Sequence, residues 1–178
     1  MGSIYQEVEW MVYRHGTRDP FELLDAIGAV TWLSYEFDAD GLKGFAAIMN
    51  DIPYAAINGN LPAEERRIVA GHEAAHLILH KKEILQSPAG TIRDFNLYDG
   101  SGRLEFEANS FLADFLVSDE QAAEVMEEAG WDYFFTAKML HLPPPLLTFK
   151  LRSMIQRGHD IKNPATLQSR FLGKNKVW

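Results

Sequence analysis

Val69-Ala70-Gly71-His72-Glu73-Ala74-Ala75-His76-Leu77-Ile78-Leu79-His80 is the stretch that decides how this chain reads. It contains His-Glu-x-x-His. On an α-helix, residues four apart stand one turn above each other on the same face. His72 and His76 then aim their imidazoles at one point, and two neutral imidazoles so placed suit Zn²⁺. Glu73 lies beside them, where it can take a proton from water at the metal.

The flanks agree with a helix from about Pro62 to Lys82. Asn60 is positioned to cap it and Pro62 suits its first turn. Glu64 and Glu65 favour the positive end of the helix dipole, and Lys81 and Lys82 the negative end. Ile68, Val69, Leu77, Ile78 and Leu79 are the expected buried contacts. Two histidines and a glutamate in so apolar a helix are costly unless something satisfies them. His80 extends the histidine stripe, but it sits roughly 12 Å along a straight helix from His72. One ion cannot hold both, which leaves His80 a supporting or structural role.

A catalytic zinc commonly takes three protein ligands and keeps one position for water. The chain has no cysteine, so the third ligand is His, Asp or Glu. The segment from Leu104 to Leu116 reads as an amphipathic helix with Leu104, Ala108, Phe111, Leu112, Phe115 and Leu116 on one stripe. Glu105 falls inside that stripe, and a carboxylate among leucines needs a cation. Glu107 falls at the opposite edge, as a charge on a solvated rim. Glu105 is therefore favoured as third ligand, with Glu107 the alternative. Asn109, one turn after Glu105, is placed to hydrogen-bond a ligating histidine and hold its tautomer.

Outward from these two helices, 178 residues fit one domain, with its core at about 19–157. With 17 basic against 25 acidic residues, the formal charge of -8 disfavours a nucleic-acid-binding surface. Charges within the first segment argue against a signal peptide, and no apolar run approaches a membrane span, so the cytoplasm is the expected location. Helices are expected over residues 3–14 and from Pro20, capped by Asp19 and stopped by Gly28. Ala29–Phe37, Phe45–Met49 and Tyr54–Ile57 read as three strands of an antiparallel meander. Residues 83–103 look irregular, with a short strand around 91–97. Helices follow from Ser118 to about Ala129, over Tyr133–Leu140 and over Leu146–Arg157. Residues 158–178 are polar and expected to be poorly ordered. Residues 133–157 invite a helix–turn–helix reading with Lys150, Arg152 and Arg157 on phosphates, but three prolines and the acidic balance favour a helical cover instead.

The residues also resemble the ImmA/IrrE family of zinc metallopeptidases. The likeness runs through Asp19-Pro20-Phe21-Glu22-Leu23-Leu24, Gly28, Gly41-Leu42-Lys43-Gly44, Ile57-Asn58, Leu61 and Arg66-Arg67. It continues through the zinc motif and Leu77-Ile78-Leu79-His80 to Glu105-Phe106-Glu107-Ala108-Asn109-Ser110-Phe111-Leu112-Ala113. The resemblance implies an α+β, zincin-like fold with one catalytic zinc. It implies His72, His76 and Glu105 as ligands and Glu73 as general base. It further implies cleavage of a helix–turn–helix repressor that silences a mobile element, prophage or stress response. Ala74-Ala75 departs from the Leu-Gly common in the family, and Ala75 is expected to narrow the approach to the metal. The competing function is a regulatory protein of little proteolytic activity that sequesters a repressor or antitoxin. A weaker third is a metal-dependent hydrolase of non-peptide substrates. His141, Tyr98 and His15 are the candidates for stabilising an oxyanion.

Overall fold

The computed structural model describes residues 3–38, 41–94, 98 and 102–161. Its contacts divide the chain after Leu116 into two compact units. The architecture is α+β, with helices around a small mixed sheet in the first unit and, among the described residues, helices alone in the second.

The first unit opens with α1 (Ile4–His15), where Ser3 and Gln6 form a reciprocal capping box. α2 (Pro20–Ala26) starts as its sequence requires. The Asp19 carboxylate accepts from the Phe21 and Glu22 amides, and Pro20 takes the first helical position. Gly28 ends the segment at φ 73°, a conformation open to glycine at little cost.

Three strands follow: β1 (Val30–Ser34), β2 (Gly44–Met49) and β3 (Ile52–Asn58). They do not form the expected meander. β3 lies between the other two, parallel to β1 and antiparallel to β2. The cause lies in the connections. Asn50 and Asp51 turn with φ 50° and 62°, which closes a tight β2–β3 hairpin. The chain between β1 and β2 is stitched across the end of β3 instead. Asn58 donates to the Asp38 and Leu42 carbonyls at 2.8 and 3.0 Å. Asn60 donates to Tyr35 and Phe37 at 3.2 and 2.8 Å.

Asn60 is thus occupied with this crossover and does not cap the motif helix. α3 runs Ala63–Leu79 with Pro62 at its N-cap and no side-chain cap. It is also shorter than expected. At His80 the backbone leaves helical geometry (φ -119°, ψ 25°), and Lys81 and Lys82 open a separate short helix, α4 (Lys81–Gln86). β4 (Thr91–Asp94) pairs with β2 at the sheet edge, giving the order β1-β3-β2-β4. The rest of the expected strand, 95–97, lies outside the described residues, as do 162–178 of the expected tail.

α5 (Arg103–Leu116) packs against α3 and α1. Phe111 and Phe115 stack at 6.0 Å and are fully buried, as are Leu23, Leu24, Ile57 and Ile84. Each such side chain contributes about 1.5–3 kcal/mol of burial. α3 reaches α5 closely because position 71 is glycine. A Cβ there would stand 2.4 Å from Leu112 Cδ1 and 3.2 Å from Pro20 Cγ. Arg18 Nη1 donates to the Asp114 and Phe115 carbonyls at 2.9 and 3.1 Å, satisfying groups the end of α5 leaves open.

The second unit contains α6 (Asp119–Glu128), α7 (Tyr133–Met139) and α8 (Pro144–Gln156). Ser118 caps α6 and Asp132 caps α7. Pro144 and Pro145 lie in the first turn of α8, where their missing amides cost nothing. Its centre is ionic. Asp119 Oδ1 accepts from the fully buried Lys150 at 2.7 Å and from Arg157 at 2.6 Å. Asp119 Oδ2 accepts from Arg157 at 2.7 Å and lies 3.0 Å from His159 Nε2. Burial pushes the Asp119 carboxyl up, but the hydrogen bonds and charges of Lys150 and Arg157 outweigh it and hold it below its ordinary value. Lys150 and Arg157 are therefore committed to Asp119, which removes two of the three phosphate contacts of a DNA-binding reading.

Candidate metal centre

The centre is built by α3 and α5. One turn of α3 separates His72 from His76, and both side chains are fully buried. Their Nε2 atoms come within 3.0 Å of each other. From the facing helix, Glu105 brings Oε2 to 3.2 Å from His72 Nε2 and Oε1 to 3.5 Å from His76 Nε2. Its side chain remains 23% exposed, so the third corner of the triangle is the one that opens outward.

These edges are a test of fit. A tetrahedral zinc with bonds of about 2.05 Å separates its ligand atoms by about 3.3 Å. The observed 3.0, 3.2 and 3.5 Å bracket that value. Two imidazoles and one carboxylate, with no cysteine, are also a donor set suited to a hydrolytic zinc. Among the described residues, His72, His76 and Glu105 are the group of acidic and histidine side chains able to hold an ion. Glu107 lies outside it.

Glu73 is fully buried in α3. Its carboxylate rests against Gly44 of β2, where an added Cβ would meet Glu73 Oε1 at 2.4 Å, Val69 Cγ1 at 2.6 Å and the Ala56 carbonyl at 2.9 Å. The sheet thus sets the position of this carboxylate through a missing side chain. Gly44→Ala is expected to lower stability by about 1–3 kcal/mol, as overpacking does, and to displace Glu73. A thermal melt together with an activity assay checks both effects.

Beyond the triangle, the structure joins residues that the sequence left separate. His76 Nδ1 lies 2.9 Å from His80 Nδ1, and His80 Nε2 lies 2.9 Å from Glu107 Oε2. Arg103 donates to Glu107 Oε2 at 2.9 Å and to Glu83 Oε1 at 2.7 Å. Its hydrogen bond holds the Glu83 carboxyl below the ordinary value. Glu107 is thus engaged in this chain and is not a loose rim charge. The available signals were His80 one turn after His76, and Arg103 with Glu107 at four-residue spacing on one helix. Asn109, by contrast, does not take the expected bond to a ligand histidine. It is fully buried, and neither side-chain atom has a hydrogen-bond partner among the described residues.

The sequence named Tyr98, His15 and His141 as oxyanion candidates. Burial, with the negative charge of Glu65 adding to it, pushes the Tyr98 phenol up to about 12. His15 sits in the last turn of α1. His141 belongs to the second unit, in a left-handed backbone conformation at φ 52°. Ala74 and Ala75 are both fully buried.

The family model described as Peptidase_M78, IrrE N-terminal-like domain, matches residues 34–144, well over half the chain. The chain belongs to this family. No curated protein and no solved structure gives a match. The matched IrrE N-terminal-like segment carries β2 and β3, the whole of α3 and the whole of α5. It therefore contains every member of the triangle, Glu73 with its Gly44 seat, and the histidine–carboxylate chain. No described helix is long and apolar enough to cross a membrane.

Proposed function

We propose that this chain is a zinc-dependent endopeptidase whose substrate is a helix–turn–helix repressor. The observation that carries the reading is the triangle of His72, His76 and Glu105, with edges near those of a tetrahedral zinc and the buried carboxylate of Glu73 on the same helix. A bound Zn²⁺ would supply Lewis acidity, lowering the pKa of water towards about 7 and polarising the scissile carbonyl.

The chain's own residues do the rest. His72 and His76 hold the ion from one helix face, and Glu105 fixes the third position from across the α3–α5 packing. Glu73 accepts the proton of the attacking water and returns it to the leaving amine. Its carboxylate is kept in place by β2 at Gly44, so no reorganisation is required when the proton arrives. The chain's charge of -8 favours association with a basic partner, and DNA-binding repressors are basic.

The test is zinc content of protein purified without chelator, followed by incubation with a purified small helix–turn–helix repressor. About one zinc per chain is expected, with repressor cleavage that stops on chelation and returns on zinc addition. Glu105→Ala is expected to lose the metal. Protein that takes up no zinc even after addition would overturn the proposal.

A further inference from the structure

With both imidazoles neutral, as metal binding requires of His76, the chain from His76 through His80 and Glu107 to Arg103 has one consistent arrangement of protons. Glu107 Oε2 accepts from the Arg103 guanidinium at 2.9 Å, and a carboxylate so paired acts as an acceptor. The atom facing it, His80 Nε2 at 2.9 Å, must carry the hydrogen. A neutral imidazole has one N–H, so His80 Nδ1 is then a bare lone pair. The atom facing that lone pair, His76 Nδ1 at 2.9 Å, must donate. His76 Nε2 is thereby left without a hydrogen. It is the atom that lies 3.0 Å from His72 Nε2 and 3.5 Å from Glu105 Oε1, one corner of the triangle.

We infer that His80 and Glu107 are positioning residues that write the tautomer of His76 and keep its Nε2 lone pair presented to the metal. The inference rests on the metal centre proposed above, which is what requires His76 to be neutral.

The surrounding structure supports the assignment. His80 is 1% exposed, so water does not compete for either of its ring nitrogens. The helix ends at this residue: Leu79 is the last of α3, and the break lets His80 lie between α3 and α5. Arg103 is exposed and ties Glu107 of α5 to Glu83 of α4. Three helices are therefore clamped around one imidazole. Asn109, the residue whose position on α5 suggested it for this task, is not bonded to either ligand histidine.

Three variants test the inference. His80→Leu removes both hydrogen bonds at similar bulk. Glu107→Gln removes the charge from a partly exposed position where folding is not at risk. His80→Gln restores an acceptor for His76 and a donor for Glu107. Zinc affinity is measured by chelator competition, with a melt of the zinc-free protein as folding control. His80→Leu and Glu107→Gln are expected to weaken zinc about 10–100-fold, and His80→Gln to recover part of the loss. Nitrogen-15 spectra of the zinc-free parent are expected to show His76 protonated at Nδ1. Parental affinity in both loss variants, or His76 protonated at Nε2, would overturn the inference while leaving the metal centre standing. A parent without zinc affinity would remove the metal centre itself, and the inference with it.

Discussion

Glu73→Gln is expected to retain its zinc and to lose peptide cleavage by about 10²- to 10⁴-fold, the usual worth of a positioned acid–base group. The substitution changes almost nothing else. Glutamine has the same shape, and the space beside Gly44 that the carboxylate occupies would take the amide. His72, His76 and Glu105 are untouched, so metal content separates a lost base from a lost site. Cleavage at parental rate would put the base elsewhere. A repressor still silenced by uncleaving Glu73→Gln protein would favour the rival function, in which the chain binds its partner and holds it.

Asp119→Ala has the second large expected effect, on stability of the second unit. Asp119 gathers Lys150, Arg157 and His159, and Lys150 is fully buried. Removing the carboxylate takes the Asp119 charge away from a buried ammonium 2.7 Å from it, and breaking such a pair costs about 3–5 kcal/mol. Chemical denaturation followed at the second unit's Trp131 measures the loss, and a midpoint within error of the parent would refute it. The same network fixes a pH response. An unfolded aspartate titrates near about 3.9, and the folded one below that. The stabilisation is complete above the unfolded value and lost as pH falls through the folded one. Acid melts of the parent are therefore expected to weaken below about pH 4, and Asp119→Ala to lack that component.

What the sequence made legible was local. His-Glu-x-x-His brings two imidazoles together by helical spacing alone, and a carboxylate inside the apolar stripe of α5 pointed to Glu105 because burial of a charge demands a partner. Caps at Asp19 and Ser118 and the stop at Gly28 are equally local, being set by residues within one turn. Features decided over long range were not legible. Strand alternation says which residues face the core but not which strand lies beside which, so β3 between β1 and β2 came only with the structure. Asn60 has a side chain suited to a cap, yet carbonyls more than twenty residues away took it. Glu107 looks like a rim charge on a helical wheel, because the wheel of one helix does not show that His80, at the break between two others, stands against it. The glycine seat under Glu73 was invisible for the same reason: residue 44 gains its meaning from residue 73.

Gly71 carries a further consequence. A glycine inside a helix costs roughly 0.5–1 kcal/mol relative to alanine, and this one immediately precedes His72. Its absent methyl is what lets Leu112 come against the backbone of α3. His72 and His76 lie on one helix of that pair and Glu105 on the other, so two of the three sides of the candidate triangle cross the gap between the helices. The aperture offered to an ion is thus gauged by a position that never touches it, and the bore of the site is cut by the thickness of a single carbon atom.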